Sequence, residues 1–350
     1  MRLLKWTSLF TLLFASQAFA LPVSPYGEQK VLVILVNFQD KLTQPWTKEQ
    51  VAKKFFAPPG ASMKSVNAYY REATFNKTWV TGEVTPWVTL PATSSYTSCN
   101  YNTWGAQADQ AATALGYSLS SYHRKFYVMV KTVCGFAGVA YLNGNQAWLN
   151  GTTSLHTAAH ELGHNLGLHH ASTLKCGNLA VGTDAQCAFK EYGDSYDVMS
   201  STGEKHFNGG HKWQRTYLHP SAIKTVTTSG TFSIAPLEVY TETATQVLRI
   251  PTEDDFLQAY CLSYRQPLGF DHNLPVGITQ GVSVHLCNNG YDRTRQVDTS
   301  PGDDLKFKNA ALSDGASFHD QINGITITQI SHSSTEAVVY IELTDVPILR

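Results

Sequence analysis

The segment from His160 to His170 constrains the fold more than any other part of this chain of 350 residues. It reads His-Glu-Leu-Gly-His-Asn-Leu-Gly-Leu-His-His, with two histidines four positions apart. Residues at that spacing share one face of an α-helix, so the pattern predicts a helix with His160 and His164 on the same side. Gly167 can adopt a positive φ, so the helix can end there and the chain can turn back to bring His170 to the other two.

Three imidazoles gathered in this way predict a catalytic zinc site. Histidine is a common zinc ligand, and three protein ligands leave the fourth position to a water molecule. Glu161, beside the first ligand, is placed to remove a proton from that water. The spacing favours His170 over its neighbour His169 as the third ligand. His156 lies one helical turn before His160, and we expect it to pack or to line a cleft.

The N-terminus has the pattern of a secretory signal peptide. Arg2 and Lys5 supply positive charge, residues 9–15 are largely apolar, and residues 18–20 read Ala-Phe-Ala, a cleavage pattern. This apolar run is too short to span a membrane, and no later stretch is long and apolar enough. We therefore expect removal of residues 1–20 and a secreted protein, extracellular or, in a Gram-negative bacterium, periplasmic.

The cysteine count predicts disulfide bonds. Six cysteines form an even set, as expected of an exported chain stabilised by disulfides. A thiolate zinc site is disfavoured because no Cys-x-x-Cys spacing occurs. We expect each cysteine to pair with its nearest neighbour in sequence, giving Cys99–Cys134, Cys176–Cys187 and Cys261–Cys287.

Length and pattern predict two domains after the signal peptide. Residues 21–220 alternate strands and helices, whereas beyond residue 220 helical periodicity is absent and short β-rich runs recur. We expect strands at 31–36, 79–84 and 126–133, helices after a Thr47–Gln50 capping box and at 66–72 and 106–115, and C-terminal strands at 231–234, 246–250, 260–265, 282–287, 325–330 and 337–343. The second half, residues 221–350, is therefore predicted to be an all-β sandwich.

Two short strands, at residues 138–142 and 146–149, are expected just before the motif helix. One of them could be a sheet edge to which an extended peptide adds as a further strand. An ordinary hairpin fits the same residues equally well. The sequence leaves both readings open.

Two strings carry a resemblance to a known family. Residues 160–171 continue the motif into Ala171, and residues 191–199 read Glu-Tyr-Gly-Asp-Ser-Tyr-Asp-Val-Met. The chain thereby resembles the metzincin clan of zinc endopeptidases and, within it, the gametolysin family. The resemblance implies an α/β catalytic domain with a mixed sheet, the zinc at the floor of a cleft, and Met199 in a Met-turn beneath the metal.

The chain also departs from that clan. Some metzincins have a tyrosine two residues after the Met-turn methionine, where this chain has Ser201. No cysteine precedes Cys99, so a cysteine-switch propeptide is not expected.

Four polar residues near Met199 have less specific expectations. Asp194 and Asp197 are expected to make turn-stabilising hydrogen bonds rather than to bind calcium. His206 and His211 could line the primed side of the cleft or occupy ordinary surface positions.

The sequence therefore predicts a secreted zinc endopeptidase. Zinc would bind His160, His164 and His170, and Glu161 would act as general base and then as general acid. The expected substrate is a protein or glycoprotein. The nearly balanced net charge of −1 and the lack of a long basic run argue against a nucleic-acid partner.

The alternative is a secreted binding protein whose protease fold is catalytically silent or secondary. It would bind a protein or a glycan. Glycan binding would use solvent-facing aromatic residues of the β-rich half, such as Tyr260 or Tyr264, although aromatic residues in strands more often belong to the core.

Overall fold

The computed structural model describes residues 23–60, 64–95, 98–183, 185–252, 258–288, 293–302 and 307–344. The predicted signal peptide lies outside the described residues. The α-helices are α1 (Lys48–Phe56), α2 (Val66–Ala73), α3 (Tyr101–Ala114), α4 (Leu155–Asn165), α5 (Gly209–Gln214) and α6 (Val276–Thr279). Each helix in the described residues is too short or too polar to cross a membrane.

Strands outnumber helices in the described residues, and most of them follow the motif helix. They are β1 (Gly27–Phe38), β2 (Thr78–Leu90), β3 (Arg124–Met129), β4 (Gly138–Ala140), β5 (Gln146–Asn150), β6 (Ala171–Lys175), β7 (Ala188–Lys190), β8 (Ile223–Thr225), β9 (Gly230–Ile234), β10 (Val247–Pro251), β11 (Ala259–Tyr264), β12 (Gly281–Cys287), β13 (Thr294–Val297), β14 (Ala311–Ser313), β15 (Ser317–Asp320), β16 (Ile325–His332) and β17 (Ala337–Leu343). The architecture is mixed α/β.

The first sheet has the strand order β2-β1-β3-β5-β4, parallel except for β4. Strand β1 lies inside the sheet, between β2 and β3, and its apolar run is buried on both faces as predicted. Successive side chains point to opposite faces of a strand, so Val31 and Val33 join the core that contains α1, α2 and α4. Leu32 and Ile34 join a second core that contains α3.

The N-terminal helices follow the sequence prediction with one shift. The capping box before α1 is present, with Thr47 accepting from the Gln50 backbone and the Gln50 side chain accepting from the Thr47 N–H. Helix α3 begins at Tyr101, earlier than the predicted residue 106. Its first turns are fixed by packing, because Trp104 is buried against Phe38 with ring centroids 5.1 Å apart.

The six predicted C-terminal strands are all present, and they belong to two sheets. One runs β7-β6-β13-β12-β11-β10-β8, with β14 pairing β12, and the other runs β15-β16-β17-β9. Apolar residues of both sheets share one core. Strand β6 pairs in parallel with β13, so the first of these sheets includes strands from both sides of residue 220. The domain boundary near residue 220, and a separate all-β domain beyond it, stay predictions.

Tyr260 and Tyr264 do not face solvent. They are 1% and 0% exposed and pack in the core shared by the two C-terminal sheets. The Tyr260 hydroxyl donates to Asp320 at 2.7 Å and the Tyr264 hydroxyl to the Ser333 carbonyl at 2.5 Å. The core position that the sequence favours for strand aromatic residues is therefore confirmed, and these two tyrosines do not offer the solvent-facing rings that the glycan-binding alternative needs.

All three predicted disulfides are present. Cys99–Cys134 joins the segment before α3 to the segment after β3, and Cys261–Cys287 joins the neighbouring strands β11 and β12. Cys176–Cys187 closes the loop between β6 and β7, directly downstream of the histidine motif. The described cysteines are all in these bonds.

Candidate metal centre

Helix α4 carries the motif and is fixed at its start by a side-chain cap. Ser154 is the N-cap residue, and its hydroxyl accepts from the backbone N–H of Thr157. Ala158, Ala159 and Leu162 are buried in the first core, together with side chains of β1. The apolar face thus anchors the helix, and the histidines project from its other side.

The helix ends at the predicted glycine. Gly167 has a φ of +91°, and its N–H donates to the carbonyl of His164 at 2.9 Å. The N–H of Leu168 donates to the carbonyl of Gly163 at 2.9 Å. These two bonds form a Schellman motif, in which a glycine terminates a helix and reverses the chain. The reversal brings His170 back to the face of α4 that carries His160 and His164.

The reversal brings His160, His164 and His170 together, as predicted. One ring nitrogen from each lies within 4.8 Å of the others. The Nε2 atoms of His164 and His170 are 3.1 Å apart. His169 is not a member of this group, and His156 instead lies with Nε2 3.2 Å from the carbonyl of Ser200.

The second nitrogen of each ring is tied to an acceptor. Nδ1 of His160 lies 3.0 Å from the carbonyl of Val198, and Nδ1 of His164 lies 2.8 Å from the carbonyl of Leu168. Nδ1 of His170 lies 2.7 Å from the carboxylate oxygen Oε1 of Glu191. Such acceptors require Nδ1–H, so each neutral ring keeps its Nε2 lone pair free. Lone pairs converging without a proton between them are the donor set that a metal cation fits.

The three rings are neutral near pH 7. Burial lowers the pKa of His160 well below its ordinary value and that of His164 to about 4. Burial also lowers the pKa of His170, although its carboxylate partner opposes the change. Metal ligands must be deprotonated, so these neutral rings can bind a metal without first losing a proton.

Glu161 lies beside the triad and is almost completely buried. Its Oε2 atom has no hydrogen-bond partner in the part of the chain that the structure describes. Burial raises the pKa of Glu161 to about 8. A cation held by the triad would oppose that increase, because an adjacent positive charge favours the carboxylate.

The loop beneath the triad contains Met199. Its side chain is fully buried and contacts α4 where that helix has no side chain: a Cβ atom on Gly163 would lie 2.3 Å from Met199 Sδ. Asp197 Oδ1 accepts from the N–H of Met199 at 2.7 Å, and Asp194 Oδ1 accepts from the N–H of Tyr196 at 3.1 Å. The predicted turn-stabilising hydrogen bonds of both aspartates are therefore present.

His206 and His211 occupy neither of the two predicted places, since both are fully buried. His211 Nδ1 lies 2.8 Å from Asp197, and His206 Nε2 lies 2.8 Å from Glu72. The sequence offered no local signal for either pair, because Glu72 is 134 residues from His206 and because Asp197 reaches His211 only through the path of the loop before α5.

Two further residues at the site have no role assigned from the sequence. Glu191 is the acceptor for His170 Nδ1, and the ring of Tyr192 lies on that of His170, with centroids 3.7 Å apart. Both belong to the string that carries the family resemblance, but their contacts follow only from the folded path of the chain. Arg293 Nη2, from beyond residue 220, lies 3.2 Å from the same Glu191 oxygen.

The family model described as gametolysin peptidase M11 matches residues 30–314, which include the triad, Glu161 and Met199. None of the curated protein sequences is similar enough to count as a match.

Proposed function

The chain belongs to the gametolysin peptidase family M11, and on that premise we propose that it is a secreted zinc-dependent endopeptidase. The observation that carries the proposal is a buried carboxylate, Glu161, next to three histidines whose free nitrogens converge. A structural metal site needs no such unpartnered acid, whereas hydrolysis by an activated water does.

Zinc is the metal that this donor set favours. Three neutral imidazoles suit Zn²⁺, and a site with three protein ligands keeps one position open for chemistry. When bound, zinc supplies Lewis acidity, which makes a water molecule acidic enough to ionise near neutral pH and polarises the scissile carbonyl.

Glu161 carries the proton in this proposal. Its free Oε2 atom accepts a proton from the attacking water and later delivers it to the nitrogen of the leaving amine. The side chain of Glu161 is almost completely buried, which limits its proton exchange with bulk solvent. Because water is the nucleophile, the reaction forms no covalent acyl-enzyme.

Strand β4 is the proposed docking edge for the substrate backbone. Among the described residues, β4 lies at one edge of the first sheet, and it pairs antiparallel with β5 on its inner side. Gly138 on this strand lies against Glu161. An extended polypeptide that adds to β4 would therefore pass close to the carboxylate, which suits an endopeptidase.

Secretion is supported by the three disulfides, since such bonds persist in oxidising compartments. The N-terminal pattern of residues 1–20 agrees with export. All six cysteines should be in disulfide bonds in protein recovered from the medium or periplasm.

The test is cleavage of an unfolded protein substrate by the purified mature protein. We expect one zinc per chain, loss of cleavage on treatment with a chelator, and recovery when zinc is returned. His170→Ala should lose both metal and cleavage, whereas His319→Ala, an exposed histidine far from the triad in sequence, should lose neither. Cleavage that persists in the chelated protein would assign the activity to another site.

A further inference from the structure

The rings of the triad are anchored in two different ways. His160 and His164 donate from Nδ1 to backbone carbonyl groups. His170 donates from Nδ1 to a side chain, that of Glu191. The anchor of the third ring is therefore the one that a change of side chain can strengthen or remove.

The Glu191 carboxylate is itself held from a distant part of the chain. The oxygen that accepts from His170 also lies 3.2 Å from Nη2 of Arg293. Arg293 directly precedes β13, and β13 pairs with β6, the first strand after His170. The pairing of these strands sets the guanidinium beside the carboxylate.

The residue after Glu191 fixes the face of the same ring. The ring of Tyr192 lies against that of His170, with centroids 3.7 Å apart and planes tilted by 33°, and it also lies 6.0 Å from the ring of His160, at an interplanar angle of 21°. Its φ is +61°, a conformation that residues other than glycine seldom adopt. Such a conformation persists where the surrounding structure determines it, and it is common at functional sites.

We propose that Glu191 is a positioning residue for the metal centre, that Arg293 holds Glu191 in place, and that the chain beyond residue 220 thereby contributes to zinc affinity. The inference rests on the proposed function. Neither residue touches the substrate or the metal in this account, because both act through the His170 ring.

The physical reason is the freedom of an imidazole that lacks its outer hydrogen bond. A carboxylate on Nδ1–H fixes the tautomer and the ring orientation and makes Nε2 a stronger ligand. His170 needs this more than the other two, because it lies after the turn rather than within α4. Loss of such a partner typically weakens metal binding by about 10–100-fold.

The experiment measures the zinc dissociation constant of the full-length mature protein by competition with a chromogenic chelator. Variants are Glu191→Ala, Glu191→Gln and Arg293→Ala, with Glu336→Gln as the matched control at an exposed glutamate between β16 and β17. The thermal midpoint of each metal-free protein is recorded in parallel, so that a general loss of stability is recognised.

We expect Glu191→Ala to weaken zinc binding by about 10–100-fold. Glu191→Gln should weaken it less, because the amide oxygen still accepts from Nδ1–H, and Arg293→Ala should fall between wild type and Glu191→Ala. Glu336→Gln should match wild type. A dissociation constant for Glu191→Ala within twofold of wild type would overturn the proposal, and an unchanged Arg293→Ala would overturn its second part.

The two proposals fail in different ways. A wild-type protein that binds no zinc contradicts the proposed function. A wild-type protein that binds zinc and cleaves, with affinity indifferent to Glu191, contradicts only the positioning inference.

Discussion

At the scale of single residues, Glu161 lies in a slot whose width is set by Gly138. A Cβ atom on Gly138 would lie 2.4 Å from Glu161 Oε1 and 2.7 Å from Thr157 Cγ2, closer than atoms can approach. We expect Gly138→Ala to displace Glu161 and to lower kcat by about 10²-fold or more, the typical worth of general acid–base catalysis. Zinc content should stay at the wild-type level.

The control for this change is Gly135→Ala. A Cβ atom there meets nothing within 4 Å, and the position has no positive φ. Steady-state kinetics and metal analysis on both variants make the comparison. A wild-type kcat in Gly138→Ala would show that catalysis does not depend on the close approach of Gly138 to Glu161.

A second glycine tests the packing beneath the metal. Gly163→Ala would bring Cβ within 2.3 Å of the buried Met199 sulfur. Alanine is ordinarily better than glycine in a helix by about 1 kcal/mol, whereas overpacking a core typically costs about 1–3 kcal/mol. We expect a net loss in the free energy of unfolding, measured with denaturant. A net gain would mean that Met199 does not support α4 as described.

These residues show where sequence reasoning succeeds and where it stops. The triad and Gly167 could be predicted because their relation is local: helical periodicity and one turn connect them within a short segment. The contact of Glu191 with His170 could not, since it depends on the path of the loop that Cys176–Cys187 closes. The burial of His206 and His211 was also missed, because Glu72 lies on the distant helix α2 and Asp197 lies in a loop whose path has no local signal.

At the scale of elements, the start of α4 is set by one hydroxyl group. The Ser154 side chain accepts from the N–H of Thr157. That N–H is one of the first backbone donors of the helix, which have no carbonyl partner within the helix itself. Ser154→Ala should lower the free energy of unfolding by about 1 kcal/mol, and Ser154→Gly by only a few tenths. Denaturant unfolding of the metal-free protein is the measurement. Equal stabilities for the alanine and glycine variants would contradict a capping role.

Elements with a strong local pattern were predicted, and their partners were not. The apolar run in β1 indicated a central strand, and the capping box indicated the start of α1. The parallel pairing of β6 with β13 has no such signal, because it joins segments more than a hundred residues apart in sequence. For the same reason, the sequence divided the chain near residue 220, while the structure has a sheet with strands on both sides.

At the scale of the whole molecule, a buried polar pair connects the motif half to the C-terminal half. His285 on β12 lies with Nε2 3.1 Å from Asp194 Oδ2, and both side chains are buried. Burial alone would raise the pKa of Asp194, yet the hydrogen bond from His285 holds that pKa below its ordinary value. Asp194 therefore contributes stability that is present above its unfolded-state pKa and is lost as the pH falls.

His285→Ala should remove this contribution. The buried Asp194 carboxylate would lose one of its hydrogen-bond donors, which typically costs about 1–3 kcal/mol, so we expect a loss of stability and acid unfolding at a higher pH than in wild type. His319→Ala, on the exposed side of β15, is the control.

In acid unfolding of the wild-type protein, zinc release and loss of secondary structure should coincide in one transition. Two separate transitions would favour independent domains on either side of residue 220.

The central claim is that the triad holds zinc while Glu161 moves the proton. The most direct measurement compares zinc content and turnover of an unfolded protein substrate in Glu161→Gln and His164→Ala. We predict that Glu161→Gln keeps one zinc per chain and loses about 10²–10⁴-fold in kcat, whereas His164→Ala loses zinc and turnover together. Wild-type turnover in Glu161→Gln, or full zinc content in His164→Ala, would contradict the account.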